Sequence, residues 1–123
     1  MVLRMICLTV GLMLFGALSL QAQEWYRFQG KNGKYGFKLL NNQIVKPEYD
    51  DAAVKFSYDM AAVKKNGKWG YINKATKKLV IPLQYDMAYS FNQDYAKVQI
   101  KDSIFFIDRT GKRVDPDVLK NER

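Results

Sequence analysis

The sequence has no histidine and a single cysteine, Cys7, among its 123 residues. Their scarcity excludes metal sites built on His or Cys, and it excludes Ser-His and Cys-His nucleophile pairs. Cys7 lies in an N-terminal apolar segment, so the rest of the chain has no disulfide. The chemistry left to the protein is that of carboxylates, lysines and tyrosines, in a chain of the length of one small domain.

The N-terminal segment has the pattern of a secretory signal peptide. Arg4 is its only charge, and the run from Met5 to Leu20 has none. This run is shorter than the roughly 20 apolar residues of a membrane-spanning helix, although an uncleaved anchor is the alternative. We predict a signal peptide over residues 1–22, with cleavage after Ala22 or alternatively after Ser19. The mature chain is then secreted or periplasmic, without a transmembrane span.

A repeat organises the remaining chain, residues 23–123. In "AAVKKNGKWGYINKATKKLVIP", Asn66-Gly67 is the pair most favoured in a two-residue hairpin turn, and the whole stretch reads as a three-stranded meander. The upstream stretch "GKNGKYGFKLLNNQIVKP" has the same order, with Asn32-Gly33 as its turn. Glycines 33 and 67 are 34 residues apart, as are glycines 36 and 70. The sequence therefore predicts an all-β chain of antiparallel repeats of about 35 residues, stacked as a short array.

A third, degraded copy begins at "YAKVQI" and continues as "KDSIFFIDRTGKRV". Here Asp102-Ser103 is predicted to replace Asn-Gly, while Ile104 and Phe105 replace Trp69 and Gly70. Terminal repeats are expected to be atypical, because they have a neighbour on one side only. The predicted repeats are 25–58, 59–94 and 95–114, and residues 115–123 form a polar tail.

The glycine within the strand "KWGYI" needs a physical reason. Side chains alternate along a strand, so Trp69 and Tyr71 share one face while Gly70 and Ile72 share the other. A glycine inside a strand costs stability unless another group must come close to it. We therefore expect the neighbouring repeat to dock on Gly36 and Gly70, and Phe105 to fill that place in the last copy.

The motifs "NGKYGF" and "NGKWGYIN", each followed by an apolar strand, a proline and "YD", resemble the WG (KWG) repeat of bacterial proteins. The resemblance extends from Trp25 to about Val114. It implies an all-β repeat array that acts as an interaction module, with no shared catalytic residue. The predicted structural motif comprises Gly33, Tyr35, Gly36, Gly67, Trp69, Gly70, Tyr49, Asp50, Tyr85 and Asp86.

The acids recur by repeat position, Asp50 with Asp86 and Asp59 with Asp94. Paired carboxylates can serve a hydrolase when they share a cleft, and this is the alternative function. Recurrence favours a role in capping loops. We predict no catalytic residue, no metal site and no cofactor.

Lysines cluster at the predicted turns and acids cluster in the connections. Stacked repeats would then place the basic turns on one edge and the acidic connections on another, with Lys64, Lys65, Lys77 and Lys78 as candidate binding residues. Lysines on exposed strands also prevent edge-to-edge pairing, which is the simpler explanation. Because the signal peptide directs the chain away from nucleic acid, we expect a protein or an anionic glycan or envelope surface as partner.

Most aromatic residues recur by repeat position, which marks them as core residues. Tyr58 and Tyr89 have no aromatic counterpart, so they are the candidates for a ligand surface. The sequence thus predicts a non-enzymatic binding or scaffold module of about three repeats.

Overall fold

The computed structural model describes residues 24–115, and within this range the chain forms eleven β-strands. The predicted signal peptide and residues 116–123 of the predicted tail lie outside the described residues. The strands are β1 (Tyr26–Gln29), β2 (Tyr35–Leu39), β3 (Asn42–Tyr49), β4 (Asp51–Ala52), β5 (Met60–Lys65), β6 (Lys68–Asn73), β7 (Leu79–Tyr85), β8 (Met87–Ala88), β9 (Tyr95–Ile100), β10 (Ser103–Asp108) and β11 (Arg113–Val114).

The strands form three antiparallel sheets, one for each copy of the repeat. The first sheet has the order β1-β2-β3, the second β4-β5-β6-β7 and the third β8-β9-β10-β11. The all-β array of meanders predicted from the sequence is confirmed. The sheets divide the chain at Asp50 and Asp86, one short strand earlier than the boundaries drawn after residues 58 and 94.

The sheets stack, so the second sheet is buried on both faces. One core lies between the first and second sheets and contains Phe37, Ala61, Val63 and Ile72. The other core lies between the second and third sheets and contains Tyr71, with Ile107 from the third sheet. We call these contacts the first and second interfaces. The first and second sheets each turn the face of the Trp69 and Tyr71 positions, the forward face, toward the next sheet.

The turns follow the prediction in the second sheet and depart from it in the others. Asn66 and Gly67 both have positive φ, 54° and 82°, so the two-residue turn predicted there is confirmed. The first hairpin instead uses five residues, 30–34, in which Asn32 Oδ1 accepts the backbone N–H of Lys34. In the third, Ser103 pairs with Ile100, so the turn is Lys101-Asp102 and the prediction of Asp102-Ser103 was one residue late.

The interior glycines accommodate a strand of their own sheet. Between the pairs Trp69–Tyr85 and Tyr71–Ile81, three residues of β7 oppose the single residue Gly70. This bulge brings the β7 backbone over β6, where a Cβ on Gly70 would lie 2.5 Å from the Ile81 carbonyl oxygen. Gly36 has the same relation to Val45 of β3. The expectation that a neighbouring repeat docks on these glycines was therefore wrong.

Phe105 occupies the glycine position of the third sheet. Its ring packs edge-on against Tyr85 of the second sheet at 6.3 Å, beneath the guanidinium of Arg113 at 4.6 Å. β11 pairs only with Phe106 and Ile107 and does not extend over Phe105. In the first two sheets the bulge of the following strand lies over Gly36 or Gly70, and a side chain at this position would prevent that close approach.

Candidate functional site

Aspartates tie successive hairpins together at one end of the stack, which we call the hairpin end. Asp50 accepts hydrogen bonds from Lys34 Nζ of the first hairpin and from the backbone N–H of Asn66 in the second (2.9 Å). Asp86 likewise accepts hydrogen bonds from Lys68 Nζ of the second hairpin (2.5 Å) and from the backbone N–H of Lys101 in the third hairpin (2.6 Å). The predicted capping role of these two residues is confirmed.

These contacts contradict the predicted separation of basic turns from acidic connections. Both carboxylates lie among the lysines of the hairpin end, because each follows directly on the last strand of its sheet and reaches the next hairpin. The hydrogen bond from Lys34 lowers the pKa of Asp50, assisted by the backbone N–H of Asn66. The hydrogen bond from Lys68 lowers the pKa of Asp86, assisted by that of Lys101. Both carboxylates are therefore charged at neutral pH.

Because the pKa of Asp86 is lower in the folded than in the unfolded state, the free energy of unfolding decreases in acid. The stabilisation by the charged form of Asp86 is fully present above the pKa of the unfolded state, near 3.8. It is lost as the pH falls through the lower pKa of the folded state. We expect Asp86→Asn to lower the urea midpoint at pH 7 and to differ little from wild type near pH 2. Lys68→Gln should show a smaller effect, because the Lys101 hydrogen bond remains. An equal gap between Asp86→Asn and wild type at both pH values would contradict this linkage.

The four lysines proposed as binding residues lie at two opposite ends of the second sheet. Lys64 and Lys65 precede the hairpin turn, whereas Lys77 and Lys78 lie in the turn between β6 and β7. Consecutive turns of a meander lie at opposite ends of its strands, here about 20 Å apart for six residues. Lys77 also lies 6.0 Å from the Trp25 ring. The prediction of a single basic edge was wrong.

A groove opens on the forward face of the second sheet, beside Trp69. It has a volume of about 360 Å³, within the lower range of small-ligand sites. Ala62 and Trp69 come from β5 and β6, and the other lining residues lie on β8 or in the two connections that join β4 to β5 and β8 to β9. These are Ala53, Val54, Lys55, Ser57, Ala88 and Ser90.

Hydrogen bonds hold the walls of this groove in place. The Tyr71 hydroxyl donates to the carbonyl oxygen of Tyr89 (2.6 Å), next to Ser90. Ser57 Oγ donates to the carbonyl oxygen of Phe91 (2.9 Å), which joins the two connections. Burial raises the pKa of Tyr71, which keeps its hydroxyl protonated as a donor. The groove is thus a preformed feature of the stack.

The corresponding position in the first interface is filled by the protein itself. Arg27 pairs with Phe37 as Ala62 pairs with Tyr71, so Arg27 stands where Ala62 lines the groove. Its guanidinium lies 5.0 Å from the Tyr35 ring centroid and donates to the carbonyl oxygen of Ala52 (2.8 Å). The open groove of the second interface follows from the small side chain at position 62.

The exposed tyrosines lie next to groove residues in the chain. Tyr58 follows Ser57 and is 59% exposed, and Tyr89 precedes Ser90 and is 43% exposed. Lys97 Nζ lies 4.7 Å from the Tyr89 ring centroid. Tyr49 and Tyr85 are buried, as predicted for repeat positions, and Tyr35 and Trp69 pack partly buried against the two cores. A ligand-binding role for Tyr58 and Tyr89 stays a prediction.

Comparison with known families identifies the repeat. A family model described as the WG-containing repeat matches residues 38–69 and again residues 69–102. The chain belongs to the WG-repeat family. Each match begins in the middle strand of one meander, β2 or β6, and ends in the hairpin of the following sheet. No curated protein and no solved structure matches the chain.

Among residues 24–115, no three Cys, Asp or Glu side chains cluster closely enough to hold a metal ion. The same residues include no helix with the length and apolar character needed to cross a membrane.

Sequence reasoning missed the residues that make the groove. Arg27 and Ala62 were not singled out, nor were the lining residues of the two connections. The signal that could have found them is the difference between repeats: Arg27, Ala62 and Lys97 occupy one repeat position, beside Tyr35, Trp69 and Ile104 respectively. A position whose residue changes in size and charge from one repeat to the next is not fixed by packing that the repeats share.

Proposed function

We propose that this WG-repeat protein is an exported, non-enzymatic binding or scaffold module that engages a protein partner in the groove beside Trp69. Export rests on the signal-like pattern of residues 1–22. Processing at Ala22 would leave a chain with 19 basic and 12 acidic residues, a net charge of +7. Such a module would act at the cell envelope or outside the cell.

The observation that carries this proposal is the open groove beside Trp69, in a face that the third sheet otherwise covers. Tyr35, the counterpart of Trp69, is covered by Arg27, whereas the groove beside Trp69 is open. Aromatic side chains in preformed, partly apolar clefts are the usual anchors of binding energy. Ser57, Ser90 and Lys55 add polar groups that can orient a ligand.

The lysines support this function as long-range attraction. They lie at both ends of the sheets, and Asp50 and Asp86 neutralise Lys34 and Lys68. Charge of this kind raises the rate of association with an anionic partner and is weakened by salt. An anionic envelope component would be attracted in the same way, but the groove favours a partner with a side chain to insert.

The geometry argues against a hydrolase that uses loop carboxylates. Asp50 bridges the hairpins of the first interface and Asp86 those of the second, so the two belong to different interfaces. Each is paired with a lysine, and each has a lowered pKa. A general acid requires the opposite shift.

A matched pair of variants tests the binding function. Trp69→Leu removes the flat ring from the groove while keeping apolar contact with the core, and Tyr35→Leu makes the same kind of change in the covered first interface. We expect cross-linking in an envelope extract of the host to recover a partner with wild type and Tyr35→Leu. Trp69→Leu should recover at least tenfold less of the same protein. Equal recovery by the two variants would refute a role for the groove.

A further inference from the structure

We propose that the groove beside Trp69 receives the guanidinium group of an arginine, carried on an acidic segment of the partner polypeptide. This inference rests on the proposed function and specifies the chemistry of the same site. It comes from comparing the two interfaces of the stack, of which one contains such a group and the other does not.

Strand register makes the two positions equivalent. Tyr35 pairs with Tyr49 as Trp69 pairs with Tyr85. Ala52 pairs with Val63, and Ala88 pairs with Val98, in the next sheet of each interface. The ring and its cross-strand neighbours therefore recur, whereas two side chains differ: Ala62 replaces Arg27, and Met87 replaces Asp51.

The first interface shows what occupies such a space. The Arg27 guanidinium lies over the Tyr35 ring, donates to the carbonyl oxygen of Ala52 and lies 3.4 Å from Asp51 Oδ1. A guanidinium is planar, stacks on aromatic faces and presents several donors at its edge. It therefore satisfies a ring and a carbonyl group at the same time.

The second interface supplies a ring and a carbonyl group at the corresponding places but no arginine. Trp69 replaces Tyr35, and tryptophan is the best aromatic partner for a cation. Ala88 lies where Ala52 accepts the hydrogen bond, and Ser57 and Ser90 provide further oxygens at the rim. Met87 replaces Asp51, so the occupant is held by stacking and hydrogen bonds. Lys55, also at the rim, is ion-paired with Glu24 at 3.4 Å.

The charge of the protein defines the rest of the partner. The net charge of +7 on the processed chain, 19 basic minus 12 acidic residues, repels a partner that is basic throughout. Lys64 pairs with Trp69 across β5 and β6, so it belongs to the same face of the sheet as the groove. A single arginine flanked by acidic residues therefore matches both the groove and its surroundings.

Short peptides test this assignment directly. The probe is an acetylated, amidated peptide with one arginine between glutamates, and its control contains citrulline, an uncharged analogue of nearly the same shape. Trp25→Phe leaves Trp69 as the only tryptophan, so its fluorescence and its indole N–H resonance report on the groove. We expect the arginine peptide to shift both signals and to bind at least tenfold more tightly than the citrulline peptide.

Two substitutions exchange the character of the interfaces. Ala62→Arg, made in the same background, should fill the groove with an internal guanidinium, raise or preserve the melting temperature and reduce peptide affinity at least tenfold. Arg27→Ala should open the first groove and add a second peptide site with tyrosine as its ring. Ala62→Met fills the groove without a charge, and it serves as the blocking variant if Ala62→Arg does not fold.

The outcomes separate this inference from the proposed function. Equal binding of the arginine and citrulline peptides, or none of either, overturns the guanidinium assignment. So does undiminished arginine-peptide binding by a folded blocking variant. If Trp69→Leu still loses the partner in these cases, the groove functions with a different ligand. If Trp69→Leu recovers as much of the partner as wild type does, the proposed binding function is refuted.

Discussion

Gly70→Ala is expected to destabilise the protein by about 3 kcal/mol, a large fraction of the stability of a small domain. The new methyl group would lie 2.5 Å from the carbonyl oxygen of Ile81 and 2.8 Å from the carbonyl carbon and oxygen of Pro82. These are backbone atoms, so no rotamer change relieves the overlap. β7 would have to move away from β6, at the strand that supports the forward face. Urea unfolding followed by circular dichroism measures the change.

Gly67→Ala is the matched control for this effect. Gly67 has a φ of 82°, which disfavours alanine, but nothing lies within 4 Å of its missing Cβ. A left-handed alanine costs about 1 kcal/mol. If Gly70→Ala is no more destabilising than Gly67→Ala, the close approach of β7 does not account for the glycine.

Tyr71→Ala should be the most damaging core truncation, with a loss of about 4 kcal/mol. The side chain is fully buried, and its ring meets that of Phe91 edge-on at 4.8 Å. Its removal leaves a cavity between the second and third sheets and releases the wall of the groove at Tyr89. Thermal and urea unfolding measure the loss.

Tyr71→Phe separates packing from hydrogen bonding. It keeps the ring and removes only the bond to the carbonyl oxygen of Tyr89, so it should cost about 1 kcal/mol. Phe37 and Phe106 occupy this repeat position in the other sheets, so phenylalanine is compatible with the strand. Similar losses for the two Tyr71 variants would mean that the hydroxyl, and not the buried ring, dominates at this position.

The local features of the fold could be predicted from sequence because their causes are local. Asn66-Gly67 supports positive φ at two consecutive residues, and this hairpin turn located β5 and β6 on either side of it. Recurrence at a fixed spacing then indicated three similar units. The same method misplaced the turn at Lys101-Asp102, where the residues carry no strong turn preference.

The reason for the interior glycines could not be predicted from sequence, because it depends on the course of another strand. Gly70 must be glycine because β7 contributes three residues opposite it, and Pro82 in "LVIPLQY" is compatible with a bulge but does not show which residue the bulge approaches. Sequence reasoning recognised that something comes close to this residue. It assigned the close approach to the next repeat when the neighbour is the next strand.

The candidate site was harder to predict than the fold, since a groove is defined by what a side chain leaves empty. Ala62 is inconspicuous as a single residue, and its importance becomes clear only when it is compared with Arg27, which occupies the equivalent position in the first sheet. The lysines, in contrast, were chosen as candidate binding residues because many of them cluster at the predicted turns. Their division between the two ends of the sheets follows from the meander, in which alternate turns lie on opposite sides.

The stacking of the sheets has a consequence for valency. The first two sheets each turn an aromatic ring forward, and the second and third sheets each receive the preceding sheet on the opposite face, so the stack has a direction. The glycine and the bulge that it accommodates belong to one sheet, so each unit carries its own geometric requirements. A duplicate of residues 51–85 placed after Tyr85 would again present Trp69 and Ala62 to the sheet that follows. The number of grooves would therefore grow with the number of units, and the residue at the position of Ala62 would decide which of them are open.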